Sequence, residues 1–246
     1  MKKPVYETSG SLQNCLLDAL GETAGTELAS WLPHLEPVEL AFGQVLCESG
    51  VTPAYAYFPT TAIVSLVYLT QDGASAEIAV VGNDGMVGIS LFMGGIATPN
   101  RAVVQSAGTS YRLRAQAVKD EALCAGPVLT VLLRYTQALI GQVAQTAACN
   151  RYHSIDQLLC RRLLMGLDRL PSSQLAMTQE SASNLLGVRR EGVTAAARKL
   201  QDDGVIRYSR GNIAVLDRPQ LEARTCEFHG GASRAADRSP RLLIAA

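Results

Sequence analysis

Apolar positions recur with two different periods along this chain, and the change of period divides it. Residues 11–32 set Leu12, Leu16, Leu17, Leu20, Leu28 and Trp31 among polar neighbours, which predicts one or two short helices broken between Gly21 and Gly25. From about Pro37 to Leu113 short β-rich runs alternate with turn residues: VELAFGQVLCESG, AYAYFPTTAIVSLVYL, TQDGASAEIAVVGNDG and RAVVQSAGTSYRLRA. Regular spacing of this kind predicts an antiparallel β-roll or barrel. Gln71-Asp72-Gly73 and Asn83-Asp84-Gly85 mark its clearest turns.

Ala125 to Arg151 is the longest helical stretch, with Pro127 where a first-turn proline is tolerated. One stripe holds Leu129, Leu132, Leu139 and Val143, interrupted by Thr136; a second holds Leu133, Ile140, Ala144 and Ala147. A helix apolar on two faces needs two burial partners, the roll and the same helix of a second copy, so a two-fold dimer is expected. Burial of both faces within one chain is the alternative. Ser154 with Gln157 forms a capping box after a break at Asn150–His153, which predicts a hinge near residues 150–154. The new helix carries Leu158, Leu159, Leu163, Leu164 and Leu167.

The stretch from Thr178 to Asp217 has the densest local signals. Thr178 caps a helix starting at about Gln179, and Glu180 suits the positive end of its dipole. Ala182, Leu185 and Leu186 form an apolar stripe, Ser183 is small enough for a close crossing, and Gly187 permits the positive φ of a turn. From Arg189 onward Val193, Ala196, Ala197 and Leu200 face inward. Arg189, Arg190, Glu191, Thr194, Ala195 and Arg198 are left facing out. The runs VIRYS and IAVLD around Arg210-Gly211 predict a hairpin with a cation at its tip. This is the outline of a winged helix-turn-helix, whose second helix meets DNA. Arginine matches guanine O6 and N7, and glutamate accepts from cytosine N4. Helix-turn-helix geometry also occurs in bundles that never touch DNA, and a ligand-binding module that docks another protein is an alternative.

Composition changes this picture only modestly. A hydrophobic content of 48% with 18% charged residues is ordinary for a globular protein. The zero net charge is a cancellation: residues 1–150 hold 7 Lys and Arg against 12 Asp and Glu, residues 151–246 hold 15 against 10. A cationic C-terminal part fits phosphate neutralisation. The six cysteines, Cys15, Cys47, Cys124, Cys149, Cys160 and Cys226, lie far apart without zinc or iron–sulfur spacing, so no metal or cofactor is expected. His34, His153 and His229 have no recognisable catalytic constellation, so an enzyme is not expected. Lys2 and Lys3 precede no apolar h-region, and no apolar run approaches about 18 residues, so neither secretion nor membrane spanning is expected. A reducing cytoplasm is the expected setting. The glycines of GNDGMVGISLFMGGIATPNR match no nucleotide fingerprint. They either let backbone N–H groups approach an anion beside Arg101 or simply make turns while Arg101 pairs with an acid, and the second reading is preferred.

Read in order, β-roll, long helix, hinge and winged helix resemble the Crp/Fnr superfamily of bacterial transcription regulators from about residue 14 to residue 227. The most specific part is NRYHSIDQLLCRRLLMGLDR followed by AMTQESASNLLGVRREGVTAAARKLQDDGVIRYSRGNIAVLDR. The resemblance implies an α+β fold: an N-terminal antiparallel β-roll similar to a cyclic-nucleotide-binding domain (1–124), a dimerisation helix and hinge (125–153), a winged helix-turn-helix (154–226) and a tail (227–246). It implies a homodimer on double-stranded DNA, with RNA polymerase as a further partner and an effector the sequence does not name. Arg190-Glu191 match the family's base-reading pair; a later arginine reader is Ala195 here, so a different half-site is expected. Arg189 is assigned to bases with them, and Thr178, Thr194, Arg198 and Arg210 to phosphates. The family's phosphate cassette is represented by Gly88 and Arg101, but Ile89 stands for its glutamate and Ala102 for its hydroxyl. Cyclic AMP is therefore not the expected effector, and a cyclic-nucleotide-responsive regulator using Gly88 and Arg101 is the alternative.

Overall fold

One buried side chain ties the start of the chain to the rest. In the computed structural model, which describes residues 12–228 apart from 72, 74, 96, 171, 172 and 210, Asn14 caps helix α1 (Cys15–Thr23). Its Oδ1 accepts from the backbone of Leu16 and Leu17, while its Nδ2 donates to the carbonyls of Pro59 and Gly85. Helix α2 (Gly25–Trp31) follows after a break at Ala24, as the pattern of residues 11–32 predicts.

Among the described residues seven strands then build the roll: β1 (Glu36–Leu40), β2 (Val45–Cys47), β3 (Tyr55–Pro59), β4 (Ile63–Leu69), β5 (Ser75–Val81), β6 (Arg101–Ser106) and β7 (Gly108–Arg114). They pair antiparallel in two sheets, β1-β7-β3 and β2-β6-β4-β5. Phe58, Val64, Ala79, Val104 and Leu113 from both sheets share one core with Leu16, Leu20 and Trp31 of the first helices. Helix α3 (Ala115–Leu123), which the sequence pattern did not predict, packs Val118 beneath them.

Helix α4 (Pro127–Tyr152) is 26 residues long and matches the predicted long helix. Val128, Val131, Leu132, Tyr135, Thr136, Leu139 and Cys149 are its buried face. β5 is an edge strand of its sheet, and such an edge is a liability unless covered. Gln142 Oε1 accepts from Val80 N at 2.8 Å, so α4 meets part of that edge. The opposite stripe stays open: Leu133 is 49% and Ile140 57% exposed, with Ala144 and Ala147 exposed beside them.

The capping box of Ser154 and Gln157 starts helix α5 (Ile155–Leu167). Beyond it lie β8 (Gln174–Ala176), α6 (Gln179–Leu186), α7 (Arg190–Asp202), β9 (Ile206–Ser209), β10 (Asn212–Val215) and α8 (Arg218–Arg224). The predicted hairpin is β9 and β10, and β8 adds an unforeseen third strand on β10. Leu221 is buried in α8, and Cys226 is buried behind it. The rest of the predicted tail, from residue 229, lies outside the described residues.

A second core joins Leu159, Leu163, Val193, Ala197, Leu200 and Ile213 to Ile63, Val67 and Val80 of the roll. Two buried ion pairs cross the same seam. Arg162 Nε lies 2.7 Å from Glu77 Oε1, and Ser65 Oγ donates to the other oxygen of that carboxylate. Arg169 Nη2 lies 2.7 Å from Asp84 Oδ2, whose other oxygen accepts from Gly82 N. Glycine is required here for close approach: a Cβ on Gly82 would sit 2.7 Å from Arg169 Cβ, and one on Gly85 would sit 2.2 Å from the Tyr135 ring.

Candidate nucleic-acid interface

The helix-turn-helix forms for local reasons. Thr178 Oγ1 accepts from Ser181 N, and Ser181 Oγ accepts from Thr178 N, so the cap is reciprocal. Glu180 sits in the first turn. Gly187 adopts φ 65°, the left-handed conformation that ends α6, and a Cβ there would lie 3.7 Å from Ala76 Cβ of β5. The turn thus abuts the roll.

Arg189 is the N-cap of α7 and makes no side-chain cap bond, which leaves the first N–H groups of that helix without a side-chain acceptor. Val193, Ala196, Ala197 and Leu200 are buried, as the spacing predicts. Val188, in the turn between the two helices, is half-buried against the core. Arg189, Arg190, Glu191, Ala195 and Arg198 are exposed, and among the described residues neither Arg189 nor Arg190 has an ion-pair partner. Arg190, Glu191, Thr194, Ala195 and Arg198 line a shallow groove with Gln179, a residue the sequence reading did not single out.

Gln179 is held in place. Thr194 Oγ1 lies 2.8 Å from Gln179 Oε1 and 2.9 Å from Arg190 O, so the threonine's one proton is directed within the protein. Tyr208 of β9 stands behind them: burial raises its phenol above the ordinary value, against the Gln179 backbone and the Arg190 charge, which both lower it. Arg198 makes only a loose contact of 3.8 Å with Asp202 on the exposed face. Thr178 is partly committed to its cap and stands beside the hairpin turn, its Cγ2 3.3 Å from where a Gly211 Cβ would be. Arg210 lies outside the described residues.

Residues 157–224 match a family described as the Crp-like helix-turn-helix domain. This segment is a Crp-like helix-turn-helix domain. The chain is similar to solved structures over most of its length: FixK2 from Bradyrhizobium japonicum, with a TM-score of 0.67 at 16% identity, covers 78% of this chain and 98% of its own. A CRP-family transcriptional regulator from Thermus thermophilus gives 0.63 at 19%, covering 76% and 95%. The c-di-GMP-responsive global regulator CLP of Xanthomonas campestris gives 0.60 at 15%, covering 78% and 98%. No curated protein matches the sequence. The Crp-like domain therefore sits on a chain with the Crp/Fnr fold.

Gly88 and Arg101, the positions that the resemblance matches to a phosphate cassette, take part in local structure. Gly88 adopts φ 114° and starts a 3-10 turn over Ile89–Leu91, with Ile89 packed against the core. Arg101 Nη2 pairs with Glu48 Oε1 at 3.2 Å, and Ala102 is buried in β6. An acid already meets the arginine, in line with the preferred reading of this glycine-rich stretch. Among the described residues no single helix is long and apolar enough to cross a membrane.

Proposed function

We propose that this chain is a sequence-specific DNA-binding transcription regulator of the Crp/Fnr type, acting as a cytoplasmic homodimer, with an effector other than cyclic AMP or none. The carrying observation is the head of α7: Arg189, Arg190 and Glu191 are exposed on a helix whose opposite face is buried against α5 and α6. Desolvated side chains on one face hold the charged face still, and a rigid reader loses less entropy when it meets base edges.

Arg189, Arg190 and Glu191 contact bases in this reading; Thr178, Arg198 and Arg210 contact phosphates. Thr194 is reassigned from phosphate contact to holding Gln179, because its hydroxyl donates inward. Gln179 joins the DNA face. The open stripe of Leu133, Ile140, Ala144 and Ala147, at intervals of seven, four and three residues, fits the repeat of a two-stranded seam, which supports pairing with a second α4. Two α7 helices would then address major grooves about 34 Å apart. RNA polymerase is the expected further partner.

Gel-shift titration at two salt concentrations tests this reading. The chain is expected to prefer a near-palindromic site and to lose affinity steeply as salt rises. Leu133→Glu with Ile140→Glu is expected to yield a monomer by light scattering that no longer holds the full site. Salt-insensitive or sequence-indifferent binding would contradict the proposal.

A further inference from the structure

Two residues of the end of α4 and one from far along the chain meet where α4 ends. Cys149 is in its last turn, and His153 is its C-cap, donating its backbone N–H to Cys149 O at 3.0 Å. Cys226 arrives from beyond α8, 77 residues along the chain from Cys149. The two sulfurs are 3.6 Å apart, and the ligand atoms of all three residues lie within 4.8 Å of one another. Leu158, Leu186 and Phe228 surround them, the Phe228 ring lying edge-on to His153 with centroids 5.9 Å apart.

We infer that Cys149, His153 and Cys226 form a zinc site that clamps the end of α4 to the segment following α8. Three features point to a metal. The sulfur separation far exceeds a disulfide bond of about 2.05 Å. It approaches the edge of about 3.8 Å that two thiolates make on a tetrahedron with zinc–sulfur bonds of about 2.3 Å. His153 Nδ1 is buried without a hydrogen-bond partner, while Nε2 faces Glu227 Oε2 at 3.1 Å. That division is the one a ligating histidine adopts, one nitrogen on the metal and the other held by a carboxylate. Two thiolates and one imidazole suit zinc, and they neutralise its charge. A water completes the tetrahedron. A filled site would lock the predicted hinge at residues 150–154 against the Crp-like domain; that consequence alone rests on the proposed regulator function.

The reduced full-length chain, stripped with a chelator, should take up one zinc per chain in competition with a chromophoric chelator. Cobalt in its place should give a thiolate charge-transfer band and intense tetrahedral ligand-field bands. Cys226→Ser and His153→Gln should each abolish those bands, Glu227→Gln should weaken zinc binding by about 10–100-fold, and Cys160→Ser should leave the bands in place. Zinc should also raise the melting temperature of the unaltered stripped chain, a readout that survives if a variant fails to fold. Absent uptake, cobalt bands that persist in Cys226→Ser, an unmoved melting temperature, or a Cys149–Cys226 disulfide that persists in reducing buffer would overturn the site. A chain that binds zinc in this way but selects no operator would overturn the regulator reading and leave the metal site standing.

Discussion

Two pairs of arginines, all beyond residue 150, meet opposite fates. Arg162 and Arg169 have side chains only 4% and 8% exposed, each against a buried carboxylate of the roll. Arg189 and Arg190 stand exposed with no ion pair among the described residues. The residue type is the same, so the difference lies in what the fold brings to it. A buried guanidinium without its acid would be costly, which makes Arg162 and Arg169 pins that register one unit on the other. An exposed, unpaired guanidinium keeps its donors available for a ligand, at little cost while water solvates it.

The comparison breaks most visibly at the pins. Arg162→Met leaves Glu77 buried and unpaired, and is expected to cost about 3–5 kcal/mol in denaturant unfolding; adding Glu77→Gln should recover much of that. Arg189→Ala and Arg190→Ala, by contrast, should stay within about 0.5 kcal/mol of the parent. A pin variant as stable as the parent would remove the distinction.

Local helix chemistry comes next in size. Thr178→Ala removes a reciprocal cap and should lower stability by about 1 kcal/mol, whereas Thr178→Ser should keep most of it. Separate from these is a pH slope on the buried side of α5. Burial, helped by Asp156, pushes the Cys160 thiol up to about 11 from an ordinary 9.0. The folded state then holds a proton that the unfolded chain has released. Stability from this group is intact below pH 9 and falls as pH rises towards 11, with a slope no steeper than about 1.4 kcal/mol per pH unit. Cys160→Ala should flatten that part of the profile, measured as melting temperature against pH.

How much was legible in the sequence follows the same divide between local and distant causes. The cap at Thr178, the turn at Gly187, the inward row of α7, the capping box at Ser154 and the hairpin all rest on neighbours within a few residues, and each could be read directly. The pins could not: Arg169 and Asp84 are 85 positions apart, and nothing in either local pattern marks them as partners. β8 escaped because its three residues, Gln174–Ala176, are too few to show a period. Helix α8 did carry a signal, Asp217 capping Gln220 N with Pro219 in the first turn. At the candidate DNA face, Gln179 went unnoticed because it belongs to the neighbouring helix and reaches the groove only through the crossing of α6 and α7. The meeting of Cys149 and Cys226 needed the whole carboxy-terminal unit to fold back on α4.

The most direct test of the central claim is operator selection from a random duplex library with the parent and with Arg190→Ala, both checked to be folded. The account predicts that the parent enriches a two-fold site, and that the variant binds it about 1–3 kcal/mol more weakly with preference relaxed at one base pair in each half-site. An unchanged selected site would contradict it.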